Sequence, residues 1–239
     1  NEQRDQLILV KKRFNPIRGM RMEEMEIRHT NILGWLLDPL ETHGLGDRFL
    51  KSFLAEAMKG DSKKETPTAV DIALADLRDS EVRREKKNID LFVTSAANAW
   101  SFVIENKLHS KQHSNQLKRY IDQARADAAD ANLAFRCRGI FLTLHEEEPD
   151  EQVQDDYVCF RYEKICTILD TLLAGNEPRI SPEVRQFICH YLEIIKDATD
   201  MSDEQHQMEL LAKKLYRSHR KVLDFIMEHG ATTEFTMAA

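Results

Sequence analysis

Two carboxylates and a lysine stand where this chain otherwise places apolar strand residues. In Phe102-Val103-Ile104-Glu105-Asn106-Lys107, residues two apart share a strand face, so Val103, Glu105 and Lys107 point one way and Phe102 and Ile104 the other. In the preceding run Ile89, Leu91 and Val93 alternate with Asp90 and Phe92, which puts one further carboxylate among apolar residues. Burying such groups unpaired is costly unless they meet a partner or a cation, and a divalent metal supplies one. Asp90, then fourteen residues, then Glu105-x-Lys107 on adjacent strands suits phosphodiester hydrolysis. Two carboxylates would hold Mg²⁺, and a cation would position the attacking water and steady the charge developing on phosphorus.

The elements that must carry these residues are legible in the periodicity. A helix is expected from about Glu23 to Leu37, with Met25, His29, Ile32, Leu33 and Leu36 at three- and four-residue steps and Asp38-Pro39 as its end. Glu26 and His29 lie one turn apart on it. After a loop with His43, Gly44 and Gly46, Phe49, Leu50, Phe53, Leu54 and Ala57 repeat the pattern until Gly60, and Asp61 to Thr68 is expected to be a surface loop. Glu81 onward reads as a three-stranded meander, EVRREK, NIDLFVTS and WSFVIENK. An amphipathic helix from about Ser110 to Ala128 and the strand CRGIFLTL follow, an order that implies a right-handed crossover and a parallel strand pair. The acidic run from Glu146 to Asp156 reads as a solvated loop before a last strand, DYVCFRY. Further helices are expected over Ile165–Leu173, from Ser181-Pro182-Glu183 onward, and from Ser202 to His229.

The 239 residues hold 34 Lys plus Arg and 41 Asp plus Glu, 34 − 41 = −7, which disfavours indiscriminate coating of nucleic acid but permits a local basic groove. Four scattered cysteines without a C-x-x-C pair exclude a zinc ribbon or disulfide scaffold and are expected to be small buried hydrophobes in a reducing compartment. No apolar run is long enough to span a membrane, and a cytoplasmic location is expected. The expected organisation is a catalytic core with N-terminal helices over residues 1–162 and a helical extension packed on it over 163–239.

The runs IDLFV and FVIENK, followed by a helix containing Gln116-Leu117-Lys118-Arg119-Tyr120, resemble the PD-(D/E)XK nuclease superfamily. The helix is similar to the Q-x-x-x-Y element of its recombination-exonuclease branch, and EIRHTNILGWLLDPLETHGLGDRFLKSFL looks like one bacterial and phage family within it. The likeness covers about residues 20 to 170. It implies an α/β fold with a restriction-endonuclease-like α-β-β-β-α-β core and a mixed central sheet flanked by helices. It implies that Asp90 and Glu105 are metal ligands with the Asn106 carbonyl beside them, that Glu26 is a further acid at the metal, and that Lys107 acts on the nucleophilic water. Gln116 and Tyr120 would line the site and contact the substrate backbone or orient Lys107. Ile-Asp replaces the Pro-Asp of the superfamily name, and Glu85 sits where the family often has an acid.

The implied activity is a phosphodiesterase that uses Mg²⁺, with Mn²⁺ substituting, and attacks with a metal-bound water. Nucleic acid is the expected partner, DNA favoured, in phage defence or DNA repair, with Arg84 and Lys87 as substrate contacts in the basic run beside the site. A homodimer would suit double-strand cutting, and the C-terminal helices could meet a partner. Other readings stand beside these. An RNA nuclease on the same fold or a catalytically silent binding module would share the sequence pattern. The triad could be a strand-end salt bridge, Glu26 an acid held by the helix dipole, Gln116 and Tyr120 a polar rim and a core aromatic, and His29 a packed core histidine. His109 and His113 are read as polar residues at a helix start, and His43 as either near the site or in a turn.

Overall fold

Strand β3 (Trp100–Lys107) lies at the centre of a five-stranded sheet ordered β1-β2-β3-β4-β5. The computed structural model describes residues 14–59, 61, 66–86, 89–108, 116–130, 136–175, 180–199 and 220. They fall into two units, residues 14–199 and residues 1–13 with 200–239; of the second only Arg220 is described, helical and exposed. The expected helix over Ser202–His229 and the basic residues on it thus lie outside the described residues, apart from Arg220.

β1 (Glu81–Lys86), β2 (Ile89–Ser95) and β3 form the expected antiparallel meander. β4 (Arg136–Thr143) runs parallel to β3 in the register Glu105 to Phe141 and Lys107 to Thr143, and β5 (Tyr157–Arg161) runs parallel to β4. The parallel pair is reached through a helix, numbered α5 below, as a parallel crossover requires. The sheet is therefore mixed, and β3 is buried along its whole length because it has neighbours on both sides and cover on both faces.

One face packs on helices α1 (Pro16–Gly19), α2 (Glu26–Leu37), α3 (Arg48–Ala57), α6 (Tyr162–Ala174) and α7 (Pro182–Ala198), with Leu33, Phe53, Leu91, Phe102, Ile104, Tyr162 and Tyr191 in the shared core. The other packs on α5 (Gln116–Asp130), where Leu117, Tyr120 and Ile121 meet Phe92, Val103 and Phe141. Alternation along β3 thus assigns Phe102 and Ile104 to one layer and Val103 to the other, as strand geometry dictates. The architecture is an α/β sandwich with a restriction-endonuclease-like strand and helix order. α7 opens as its sequence suggests, with Ser181 accepting from the Val184 N–H (3.3 Å) and Pro182 in the first turn. Among the described residues no helix is long and apolar enough to cross a membrane.

Three local expectations change. The Asp61–Thr68 stretch is not simply surface: Asp61 accepts a forked pair of hydrogen bonds from Arg138 of β4 (2.9 and 3.2 Å), both side chains are nearly inaccessible, and Thr66 is buried. Local polarity implied solvation, but the charge has a remote partner. Next, a short helix α4 (Ala69–Leu74) appears where no apolar period announces one; a reciprocal capping box between Thr68 and Asp71 starts it. Finally, of the four cysteines only Cys166 is fully buried; Cys159 and Cys189 are exposed and Cys137 is half-buried.

Candidate active site

The ladder between β2 and β3 runs from Ser95 opposite Trp100 to Leu91 opposite Ile104. Asp90 and Glu105 stand one residue beyond its last pair. There the backbone N–H of Asn106 donates to Asp90 Oδ2 (2.8 Å), so a carboxylate takes the donor released where the strands part. Glu105 is fully buried, and its Oε1 accepts from Lys107 Nζ (2.8 Å) and from the Gln116 side-chain amide (2.9 Å). Gln116 opens α5 as described, and its amide also donates to Tyr120 Oη one turn on (2.8 Å), the spacing at which helical side chains meet. From the opposite layer Glu26, in the first turn of α2, accepts the Leu108 N–H at Oε2 (2.9 Å). A helix start is where a carboxylate sits best.

Burial sets the electrostatics. It raises the Glu105 carboxyl to about 7, with repulsion from Asp90 adding to the rise and Lys107 opposing it. It likewise raises Asp90, against the Asn106 N–H and Lys107 and with help from the negative charges of Glu26 and Glu85. For Lys107 burial opposes the charge, but the hydrogen bond and field of Glu105, with Asp90 and Glu26 behind it, outweigh that and hold the amine above its ordinary value. The cluster is short of positive charge.

Glu105 Oε2 is buried with no hydrogen-bond partner among the described residues. Such an atom costs stability unless something fills its coordination, and the nearby acids offer only oxygen donors, the preference of hard cations. Among the described residues no three His, Cys, Asp or Glu side chains group closely enough to make a closed cage. Mg²⁺ does not need one, since it characteristically binds one or two carboxylates and completes its shell with water and substrate phosphate. The residues fit that cation.

Of the residues singled out in the sequence, the structure gathers Asp90, Glu105, Asn106, Lys107, Gln116, Tyr120 and Glu26. Arg84 is not among them. It lies on the other face of the sheet, its side chain against Gly34 of α2, 3.6 Å from Glu41 Oε1. Arg83 is held by Glu81 (2.7 Å), and Lys87, His109 and His113 lie outside the described residues. Glu85 is exposed on left-handed backbone (φ 52°), its charge felt by Asp90. His43 pins the loop between α2 and α3: its Nε2 donates to the Asp38 carbonyl (2.8 Å), its Nδ1 accepts the Leu45 N–H (2.9 Å), and burial lowers its pKa. His29 is a packed core histidine against Tyr162 and Tyr191.

Sequence reasoning missed Thr143. It is the register partner of Lys107 on β4, so it faces the same layer, and its hydroxyl is buried with no partner among the described residues. The signal was there: one hydroxyl interrupts the apolar end of CRGIFLTL.

The comparisons with curated proteins and with solved structures found no match. A family model matches residues 14–193, from α1 into α7, and so takes in every element of the site. It is that of the PD-(D/E)XK nuclease superfamily, to which this chain belongs.

Proposed function

We propose that the protein is a divalent-cation-dependent nuclease that hydrolyses phosphodiester bonds in DNA. The observation that carries this is Glu105: a wholly buried carboxylate with one oxygen taken by Lys107 and Gln116 and the other without a partner among the described residues, set beside a second, half-buried acid. A bound Mg²⁺ would supply neutralising charge and Lewis acidity at the phosphate, and Asp90 and Glu105 are the side chains that would hold it, with Glu26 and the Asn106 carbonyl beside them. Lys107 stays protonated and stabilises negative charge growing on phosphorus. Gln116 keeps the Glu105 carboxylate oriented and Tyr120 buttresses Gln116. Arg119, exposed on α5 against the Tyr120 ring, would meet the substrate backbone. Superfamily membership supports a nuclease.

A substrate panel tests the proposal: supercoiled, linear and single-stranded DNA and RNA, each with Mg²⁺, Mn²⁺ or EDTA. Cation-dependent cutting of DNA is expected, with Mn²⁺ able to replace Mg²⁺. Cutting of RNA alone would overturn the substrate assignment, and cutting that survives EDTA would overturn the cation dependence.

A further inference from the structure

Asn106 lies in the middle of the Glu105-x-Lys107 run, and its side chain projects to the opposite face of β3, where an apolar residue would pack without polar cost. It is instead fully buried and satisfied at both ends. Its Nδ2 donates to Thr30 Oγ1 (3.0 Å), which donates to the Glu26 carbonyl (3.1 Å), and its Oδ1 accepts from Tyr162 Oη (2.8 Å). Tyr162 is the first residue of α6 and is fully buried. Its hydroxyl is also hydrogen-bonded to that of Tyr191 on α7, which lies 3.3 Å from His29 Nδ1. The other nitrogen of His29 donates to the Glu23 carbonyl (2.8 Å). Buried polar groups thus tie three helices to the one residue whose backbone N–H holds Asp90.

A satisfied buried network is costly to desolvate compared with an apolar core, but it admits a single arrangement. What this one fixes is Asn106. Its side chain anchors the β3 backbone at this point, so a shift of that anchor shifts the N–H that holds Asp90, and sites of this kind tolerate displacements of only about half an ångström. We propose that Tyr162 is a positioning residue: through Asn106 its hydroxyl keeps Asp90 set against Glu105 and so preserves the seat for a divalent cation. The proposal rests on the cation-dependent nuclease function given above. It also gives α6 and α7, which touch no reacting group, a part in the site.

Tyr162→Phe removes one buried oxygen and keeps the ring. Mg²⁺ binding is measured by calorimetry without nucleic acid, and the Mg²⁺ dependence of DNA cleavage is measured beside it. Ile72→Ala on α4 is the comparison, since it removes fully buried core atoms remote from Asn106. Tyr162→Phe is expected to bind Mg²⁺ about 10-fold more weakly, as supporting-shell changes commonly do, with the cleavage midpoint shifted to match. Ile72→Ala is expected to melt earlier with Mg²⁺ affinity unchanged. Wild-type affinity in Tyr162→Phe, or equal weakening in both variants, would overturn the proposal and leave the nuclease function standing. A wild type that neither binds Mg²⁺ nor cuts would overturn both. If Tyr162→Phe does not fold, Asn106→Ala removes the acceptor and carries the same expectation and the same contrary result.

Discussion

Glu105 has one oxygen with two donors and one with none among the described residues, and its carboxyl is raised from the ordinary 4.5 to about 7. Between those pH values the folded protein binds more protons than the unfolded chain, so the cation-free protein loses stability as pH rises through that window. At about 1.4 kcal/mol per pH unit the loss is on the order of 3 kcal/mol. Glu105→Gln keeps the shape without the charge. In EDTA it is expected to be more stable than wild type at pH 8, by roughly 1–3 kcal/mol, and to show little gain at pH 4, read from urea midpoints. An unchanged midpoint at pH 8 would contradict the electrostatic assignment. Lys107 behaves differently, because it is the partner of Glu105. Lys107→Ala leaves the buried Glu105 and the half-buried Asp90 without their cation and is expected to lose on the order of 3 kcal/mol at pH 8 and less at pH 5, where Glu105 is protonated. These residues were legible because strand alternation is local. The partners of Asn106 were not: Thr30 and Tyr162 are 76 and 56 residues away, and no spacing rule links them.

At the scale of elements, the meander, the crossover helix, the parallel strand and the capped start of α7 follow from period, turn residues and capping chemistry, which act over a few residues. Features made by distant segments escaped the same reasoning. The clearest is the Asp61–Arg138 pair, which joins the segment after α3 to β4 across 77 residues. Arg138 also donates to the Asp155 carbonyl, so it fastens the acidic loop before β5 as well. Arg138→Met is expected to lose about 3–5 kcal/mol by stranding a buried carboxylate, while Arg138→Met with Asp61→Leu should recover most of it. Denaturant midpoints of the two variants and wild type give the comparison; equal losses in the single and double variants would show that the pair is not what couples the segments. Within α4, Thr68→Ala should cost about 1 kcal/mol by opening the capping box.

At the scale of the whole molecule, the mixed sheet holds β3 buried on both faces and brings Asp90 and Glu105 together just beyond the last β2–β3 pair. The layer with α5 supplies Gln116 and Tyr120, and the layer with α2, α6 and α7 supplies Glu26 and the support for Asn106. A chain of net charge −7 that concentrates buried carboxylates at one point is expected to gain stability from a cation there. At a Mg²⁺ concentration of 100 times the Kd the gain is about 2.7 kcal/mol, a rise of about 5–10 °C in Tm that Glu105→Gln should not show. The most direct test is DNA cleavage by wild type and Glu105→Gln, both confirmed as folded, with Mg²⁺ and with EDTA. Cutting by wild type in Mg²⁺ alone, and none by the variant, is the predicted result. Cutting by Glu105→Gln at the wild-type rate would contradict the assignment of this carboxylate as the centre of the site.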